Sequence, residues 1–289
     1  MNCPLCQGPG TFLTDQLRRG TGTVYHCAEC DLGYLDGKPQ DYNGPYRQSA
    51  TPDCTTPQQI FDRYVEYQGN RLGLMRWYLR ESVLEYGASA GQFLHHVDVP
   101  RKCAIEPDLD CTMFMLERGI ERPRDGEKFH TVCAFQVMEH TADPVAFLKE
   151  AIGRLEPKGT LFVEVPNIHD ALRSIWKIPE YEHFYFHEDH LFYFSDRSLK
   201  KAAEMAGAVR ISISYQQDYT LMNHLHWLLT GRPQGTCSAL GGIDLPSDNK
   251  TTAWLNGQLR ALDMDYKDML AQTGQTSNLM LIASAPPQA

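Results

Sequence analysis

The sequence predicts an α/β protein: a mostly parallel sheet with helices on both faces, preceded by a small cysteine-rich module. Three observations carry this prediction. From Ser82 onward, short apolar runs that end in turns alternate with amphipathic stretches. Two CxxC pairs lie within the first thirty residues. A tract rich in Pro and Gly but poor in apolar periodicity, residues 41–57, separates the two parts.

The chain has 289 residues, 42% hydrophobic and 22% charged, enough for one large domain with a sizeable core plus a small module. No apolar run is long enough to span a bilayer. The start, MNCPLCQG, carries neither a basic flank nor an apolar core of the secretory type. A cytoplasmic location without membrane attachment is therefore the expectation. The net charge of −9 argues against a broad nucleic-acid footprint. The N-terminal module is not basic either: Arg18, Arg19 and Lys38 stand against Asp15, Glu29, Asp31 and Asp36.

Taken in order, residues 1–40 form the cysteine-rich module. Between Gln58 and Leu79 the spacing of Ile60, Tyr64, Val65, Leu72, Met75 and Leu79 predicts a helix. Residues 41–80 thus read as linker and helix, and 81–289 as the main domain. In that domain SVLEYG is a strand into a glycine turn, SAGQFLHHV a helix start, KCAIEP a strand and LDCTMFMLERG a helix. FHTVCAFQV is the next clear strand, followed by the amphipathic helix DPVAFLKEAIGRL and the strand GTLFVEVPN. A strand is expected between Gly119 and Glu127, but Pro123 makes it short or irregular. The last third reads as a helix SLKKAAEMAG, a strand VRISISY, a helical insert and a final strand NLMLIAS. Two segments, 166–194 and 216–275, are expected to be helical lid inserts.

Cys3-Pro-Leu-Cys6 and Cys27-Ala-Glu-Cys30 are knuckles about twenty residues apart. Each CxxC turn can place two sulfurs on one ion, and tetrahedral Zn²⁺ takes four thiolates. The spacing predicts a structural zinc ribbon. A redox CxxC would call for a thioredoxin-like strand–helix context, which neither pair has. A four-thiolate site has no open position, so its role is folding rather than chemistry. The other five cysteines are isolated and read as packing residues.

VLEYGASAGQF, residues 83–93, is a strand, a glycine-cornered turn and a helix start. Gly87 and Gly91 allow close approach of the backbone to a ligand. Glu106 ends the next strand, about twenty residues on, where an acid can bind both hydroxyls of a ribose. There is no phosphate-loop lysine and no full dinucleotide fingerprint. A nucleoside without a pyrophosphate fits this better.

In these residues the chain resembles the class I S-adenosylmethionine-dependent methyltransferases. The resemblance is carried by VLEYGASAGQFL, AIEPD and FHTVCAFQVMEHTADPVAFLKEAIGRLEPKGTLFVEVPN, over residues 82–167. It implies a Rossmann-like sheet closed by an antiparallel hairpin of VRISISY and NLMLIAS. It also implies that Tyr86, Gly87, Ala88 and Gly91 line the methionine end of S-adenosylmethionine, that Glu106 takes the ribose, and that Gln136 lies beside the cofactor. His130 stands where many members have Asp. Glu139 and His140 are expected to cap and brace the following helix.

EYEHFYFHEDHLFYF, residues 180–194, packs three histidines, four acids and seven aromatics into fifteen positions. It follows the strand ending EVPN. In open α/β sheets ligands gather at the carboxyl ends of strands. The stretch is therefore expected to lie over the methyl donor as an aromatic, water-excluding lid. A four-cysteine module before such a core is also similar to the nucleotide-sugar C-methyltransferases, which carry Tyr-His-Glu-His after this strand. The corresponding residues are Glu180, Tyr181, Glu182 and His183, so that Glu-His is kept. The resemblance implies His183 as general base and Glu182 as its orienting partner. His187, His190 and His224 are weaker candidates. HEDH is one residue short of the HExxH motif, so no metal is expected there.

Three functions compete. The first is methyl transfer to a small biosynthetic acceptor, such as a nucleotide-linked sugar. The second is rRNA or tRNA methylation with the ribbon as recognition module, against which the acidic balance argues. The third is a non-catalytic S-adenosylmethionine-binding scaffold.

Overall fold

The computed structural model describes residues 1–39, 53–234, 245–246 and 249–287. Most of the expected linker, and part of the expected insert 216–275, lie outside the described residues. Three short strands open the chain: β1 (Thr11–Thr14), β2 (Val24–Cys27) and β3 (Leu32–Leu35). The expected single helix between Gln58 and Leu79 is broken into α1 (Pro57–Tyr64), a 3₁₀ turn and α2 (Gly69–Met75). Thr56 and Gln59 close a reciprocal capping box at the start of α1. The break falls at Gln68-Gly69, where backbone propensity outweighs the apolar period.

The main sheet follows with β4 (Ser82–Tyr86), α3 (Gln92–His95), β5 (Arg101–Ile105), α4 (Leu109–Leu116), β6 (Phe129–Phe135), α5 (Pro144–Gly153) and β7 (Leu155–Pro166). Then come α6 (Ala171–Ser174), α7 (Pro179–Tyr185), β8 (Phe192–Tyr193), α8 (Asp196–Met205), β9 (Val209–Gln216), α9 (Leu221–Thr230), α10 (Lys250–Thr273) and β10 (Asn278–Ser284). Its six strands run in the order β5-β4-β6-β7-β10-β9. β5, β4, β6 and β7 are parallel, and β10 is antiparallel to both β7 and β9, the expected hairpin. The doubtful strand 119–127 is reduced to one bridge, Cys103 to Glu121. Successive strand residues feed opposite faces. Leu84, Val132 and Leu161 join the core on one side, and Val83, Cys133 and Phe162 the core on the other. That is why the strands read as continuous apolar runs.

The stretch 180–194 is not the predicted lid. β8 pairs with β3, Gly33 opposite Tyr193 and Tyr34 opposite Phe192, and completes a four-stranded sheet β1-β2-β3-β8. Leu35 N donates to Leu191 O at 2.9 Å and Arg18 N to Phe186 O at 2.7 Å. Arg19 is paired with Asp189 at 2.6 Å. Tyr181, Tyr185, Phe186, Tyr193 and Phe194 are buried in the seam between module and main sheet. A module of about forty residues cannot bury a sufficient core alone. The aromatic density supplies the missing core, and the ribbon is joined to the main domain by a shared sheet. In the described part of the late insert, Asp218 reaches a cavity at the sheet's carboxyl end, whereas His224 does not. His224 is fully buried, with Nδ1 2.7 Å from Tyr266 Oη, and serves α9–α10 packing.

Candidate active site

A cavity of about 840 Å³ opens at the carboxyl ends of β4, β5 and β6, where open α/β sheets place their ligands. β4 delivers Tyr86 to it, and the chain then turns through Gly87, at φ +65°. A Cβ at Gly87 would come within 2.4 Å of Val137 Cγ2, so only glycine fits. Tyr86, Gly87, Ala88, Glu106 and Gln136, all expected from the sequence, line this one cavity. Gly91 does not. Its φ is +78°, and a Cβ there would lie 2.8 Å from Ile120 Cδ1 and 3.0 Å from Met115 Cγ. Its glycine is required by packing behind the turn.

Glu106 follows β5 and is held at both oxygens: Ser89 N donates to Oε2 at 2.8 Å and Asp108 N to Oε1 at 2.9 Å. A carboxylate offers about four acceptor sites, so capacity for a diol remains. Burial raises its pKa, against the opposing pull of the two N–H donors. Ser89, at φ +51°, is a lining residue that sequence reasoning missed, although it sits between the two glycines.

The cavity floor is more highly charged than the sequence suggested. Arg71 of α2 donates Nε to Glu164 Oε2 at 3.1 Å and stacks on the Phe135 ring at 4.4 Å. A second bond runs from Arg71 to Glu164 Oε1. Gln136, at φ +58°, donates to Glu164 Oε1 and Asn278 Oδ1, both at 3.2 Å. Asp218 accepts from Asn70 at 2.9 Å and from Asn278 at 2.7 Å. Glu85 is buried, and burial pushes its carboxyl up to about 8 despite the Arg71 charge. Glu106 and Asp218 make an acidic wall, and Glu85 beside them is largely protonated near pH 7. An acid inside the apolar run VLEYG was the available signal for Glu85. Tyr64 and Tyr67 of the N-terminal helical segment line another side of the cavity, where the stretch 180–194 does not reach.

The predicted pair Glu182 and His183 is not at this cavity. Both lie on α7, where neighbouring side chains diverge, rather than on an extended segment. Glu182 is taken by Arg173, with two bonds of 2.7 Å. His183 is exposed and borders a separate cavity of about 520 Å³, beside Arg18 and Trp227. His130 binds Glu156 at 2.9 Å, away from the cavity. Glu139 and His140 do not cap the next helix either; Asp143 does, accepting from Val145 N and Ala146 N at 2.9 Å. His140 instead lines the cavity, and its Nδ1 is 2.7 Å from Asp189 O. Burial lowers the His140 pKa to about 4, so the ring is neutral near pH 7.

At the other end of the chain, Cys3, Cys6, Cys27 and Cys30 bring their sulfurs within 4.8 Å of one another. Cys3 and Cys30 are 3.3 Å apart, and Cys6 and Cys27 3.4 Å. Four thiolates at about 2.3 Å from one tetrahedral ion stand about 3.8 Å apart, so the cluster fits a zinc ion with little adjustment. The two knuckles match: Gln7 and Asp31, each after the second cysteine, have φ of +62° and +59°. These left-handed residues turn the backbone back after each knuckle.

Comparison with known proteins settles the family. The model of the methyltransferase domain family matches residues 58–212, more than half of the chain. The chain belongs to that family. It is a methyl-transferring enzyme with the α/β Rossmann-like fold of the methyltransferases. A chain of the Haloferax volcanii complex between the Trm112 methyltransferase activator and a methyltransferase is similar to it, with 15% identity and a TM-score of 0.53. That match covers 86% of this methyltransferase and 99% of the other chain. Haemonchus contortus phosphoethanolamine N-methyltransferase 2, in complex with S-adenosyl-L-methionine, is similar over 96% of this chain and 71% of its own. Identity there is 11% and the TM-score 0.51. No curated protein matches this methyltransferase. Among the described residues no helix is long and apolar enough to cross a membrane.

Proposed function

We propose that this methyltransferase binds S-adenosylmethionine in the 840 Å³ cavity and transfers its methyl group to a small biosynthetic acceptor. The observation that carries the reading is the convergence of the Gly87 turn, Ser89 and Glu106 on one cavity. Glu106 would accept from the ribose hydroxyls, the Tyr86–Ser89 turn would hold the methionine end, and the acidic wall would favour the sulfonium charge. The volume is near the upper end for small-molecule sites, which leaves space for an acceptor beside the donor. Methyl transfer is an in-line displacement at the sulfonium carbon, and positioning supplies much of its acceleration. A sulfonium donor in complex with a protein of similar fold agrees with this.

A polar metabolite is the acceptor class favoured by the partly aromatic cavity and the net charge of −9. A nucleotide-linked sugar is one such acceptor, suggested by the cysteine module. The Glu182–His183 motif adds little to it, since neither residue lines the donor cavity. Nucleic-acid recognition by the ribbon is disfavoured because the module is not basic: Arg18, Arg19 and Lys38 stand against Asp15, Glu29, Asp31 and Asp36. We assign the four cysteines to structural zinc and residues 1–40 to a ribbon module docked on the domain 81–289.

Two substitutions test the assignments. Glu106→Ala should weaken S-adenosylmethionine binding in calorimetry by roughly tenfold or more, because a charge-assisted contact contributes about 1.5–3 kcal/mol. Unchanged affinity would remove Glu106 from the donor site. His183→Ala should keep turnover within about twofold of the parent, where loss of a general base would cost about a hundredfold or more. A hundredfold loss would restore His183 as the base.

A further inference from the structure

One cluster of ligating side chains is left unexplained by the donor site. Glu139, His140 and His190 bring a carboxylate oxygen and two imidazole nitrogens within 4.8 Å of one another. Glu139 Oε1 stands 3.9 Å from His140 Nε2 and 4.0 Å from His190 Nε2. Both gaps are too long for a direct hydrogen bond. Neither oxygen of the Glu139 carboxylate has a hydrogen-bond partner, and the residue is 0% exposed. A buried carboxyl with no side-chain partner is costly as a charge and is stabilised either by a proton, which burial favours, or by a cation.

The surrounding structure holds the three ligands in place. Leu191 N donates to Glu139 O at 2.8 Å, which pins His190 beside the β6 turn from about fifty residues away. His140 Nδ1–H donates to Asp189 O at 2.7 Å, which leaves Nε2 as the electron-pair donor on the Glu139 side. An imidazole fixed through its far nitrogen to a backbone carbonyl is the usual support of a metal-ligating histidine. The His187 ring lies 3.9 Å from that of His190, and Asp189 is anchored by Arg19.

We propose that Glu139, His140 and His190 form a binding site for a first-row divalent cation at the wall of the donor cavity. Ligand atoms about 2.0–2.2 Å from one ion lie about 3–4 Å from each other, close to the separations seen. Two imidazoles and one carboxylate suit Zn²⁺, Mn²⁺ or Fe²⁺, whereas the four thiolates select zinc. The two sites therefore differ in the ions they accept. Spacing in HEDH gave no reason to expect a metal, because that tract contributes only His190; the other two ligands come from MEH. Three protein ligands leave open coordination positions. His140 also lines the cavity, so an acceptor oxygen or nitrogen could complete the coordination. That last consequence rests on the methyl-transfer reading; the ion binding does not.

The test uses the full chain carrying zinc at its cysteine cluster, with no methyl donor present. Mn²⁺, which thiolate sites disfavour, is titrated in and followed by electron paramagnetic resonance. One Mn²⁺ per chain is expected. Glu139→Gln and His190→Ala should each weaken it by about a hundredfold or more, at least as much as loss of an outer-shell partner. Circular dichroism and zinc content check that both variants fold. Mn²⁺ uptake that is absent from the parent, or equal in the parent and both folded variants, would overturn the proposal.

Discussion

Removing the zinc ion proposed for the four-cysteine cluster, by a chelator or by Cys27→Ser, is expected to unfold the N-terminal module and destabilise the seam behind it. The four sulfurs have no other cross-link, and the three strands that they support are four residues each. Structural zinc contributes about 10–16 kcal/mol to the folding of such modules. The effect should spread because β8 would lose its partner β3, and Arg19 its hold on Asp189. Buried aromatics such as Tyr193 and Phe186 would then face water. A thermal melt by circular dichroism should show a lowered midpoint and an early transition, with one zinc per chain lost in elemental analysis. An identical melt for Cys27→Ser, with no zinc in the parent, would show that the cysteines only pack.

The second large effect is expected at Arg71. Arg71→Met removes the cation that serves buried Glu164 and leaves a carboxylate with only the Gln136 amide beside it. Breaking one partner of a buried pair costs about 3–5 kcal/mol. For a chain of this size that lowers the melting midpoint by roughly 10 °C. Donor binding should weaken as well, since Arg71 and Gln136 share the cavity. The double variant Arg71→Met with Glu164→Leu should recover much of the stability, because an apolar pair replaces the ionic one without leaving a charge unpaired. No change in melting for the single variant would mean that the Arg71–Glu164 pair contributes nothing net to stability.

Much of this architecture was legible because the parallel strands are buried on both faces. Runs such as VLEY, TVCAF and LFVEV must then be apolar, and the turns after them carry glycine or proline. The glycine-turn side of the cavity was legible for a related reason: Gly87 and Glu106 follow strand ends, where open α/β sheets gather their ligands. What failed was long-range. Aromatic crowding at 180–194 is equally compatible with a lid and with a seam, and it takes long-range contacts such as the pairing of Tyr34 with Phe192 to distinguish them. Glu182 looked like a partner for His183, but Arg173, nine residues earlier, has the stronger claim through two parallel bonds. Arg71, Asp218 and His190 reach their sites from separate parts of the chain, so no local pattern announces them. Glu139 and His140 were visible, and their spacing before a helix made capping the natural assignment until Asp143 was seen to fill that role.

The central claim is methyl transfer from a donor held between the Gly87 turn and Glu106 to a small polar acceptor. Its most direct test is incubation of the purified full chain with methyl-labelled S-adenosylmethionine and a fractionated extract of its source cells. Label is expected in the small-metabolite fraction, and about tenfold less of it when Glu106→Ala replaces the parent at limiting donor. Mass spectrometry of the product then identifies the methylated atom. Label recovered instead in RNA, DNA or protein would contradict the small-acceptor reading and return the cysteine module to the role of a recognition surface.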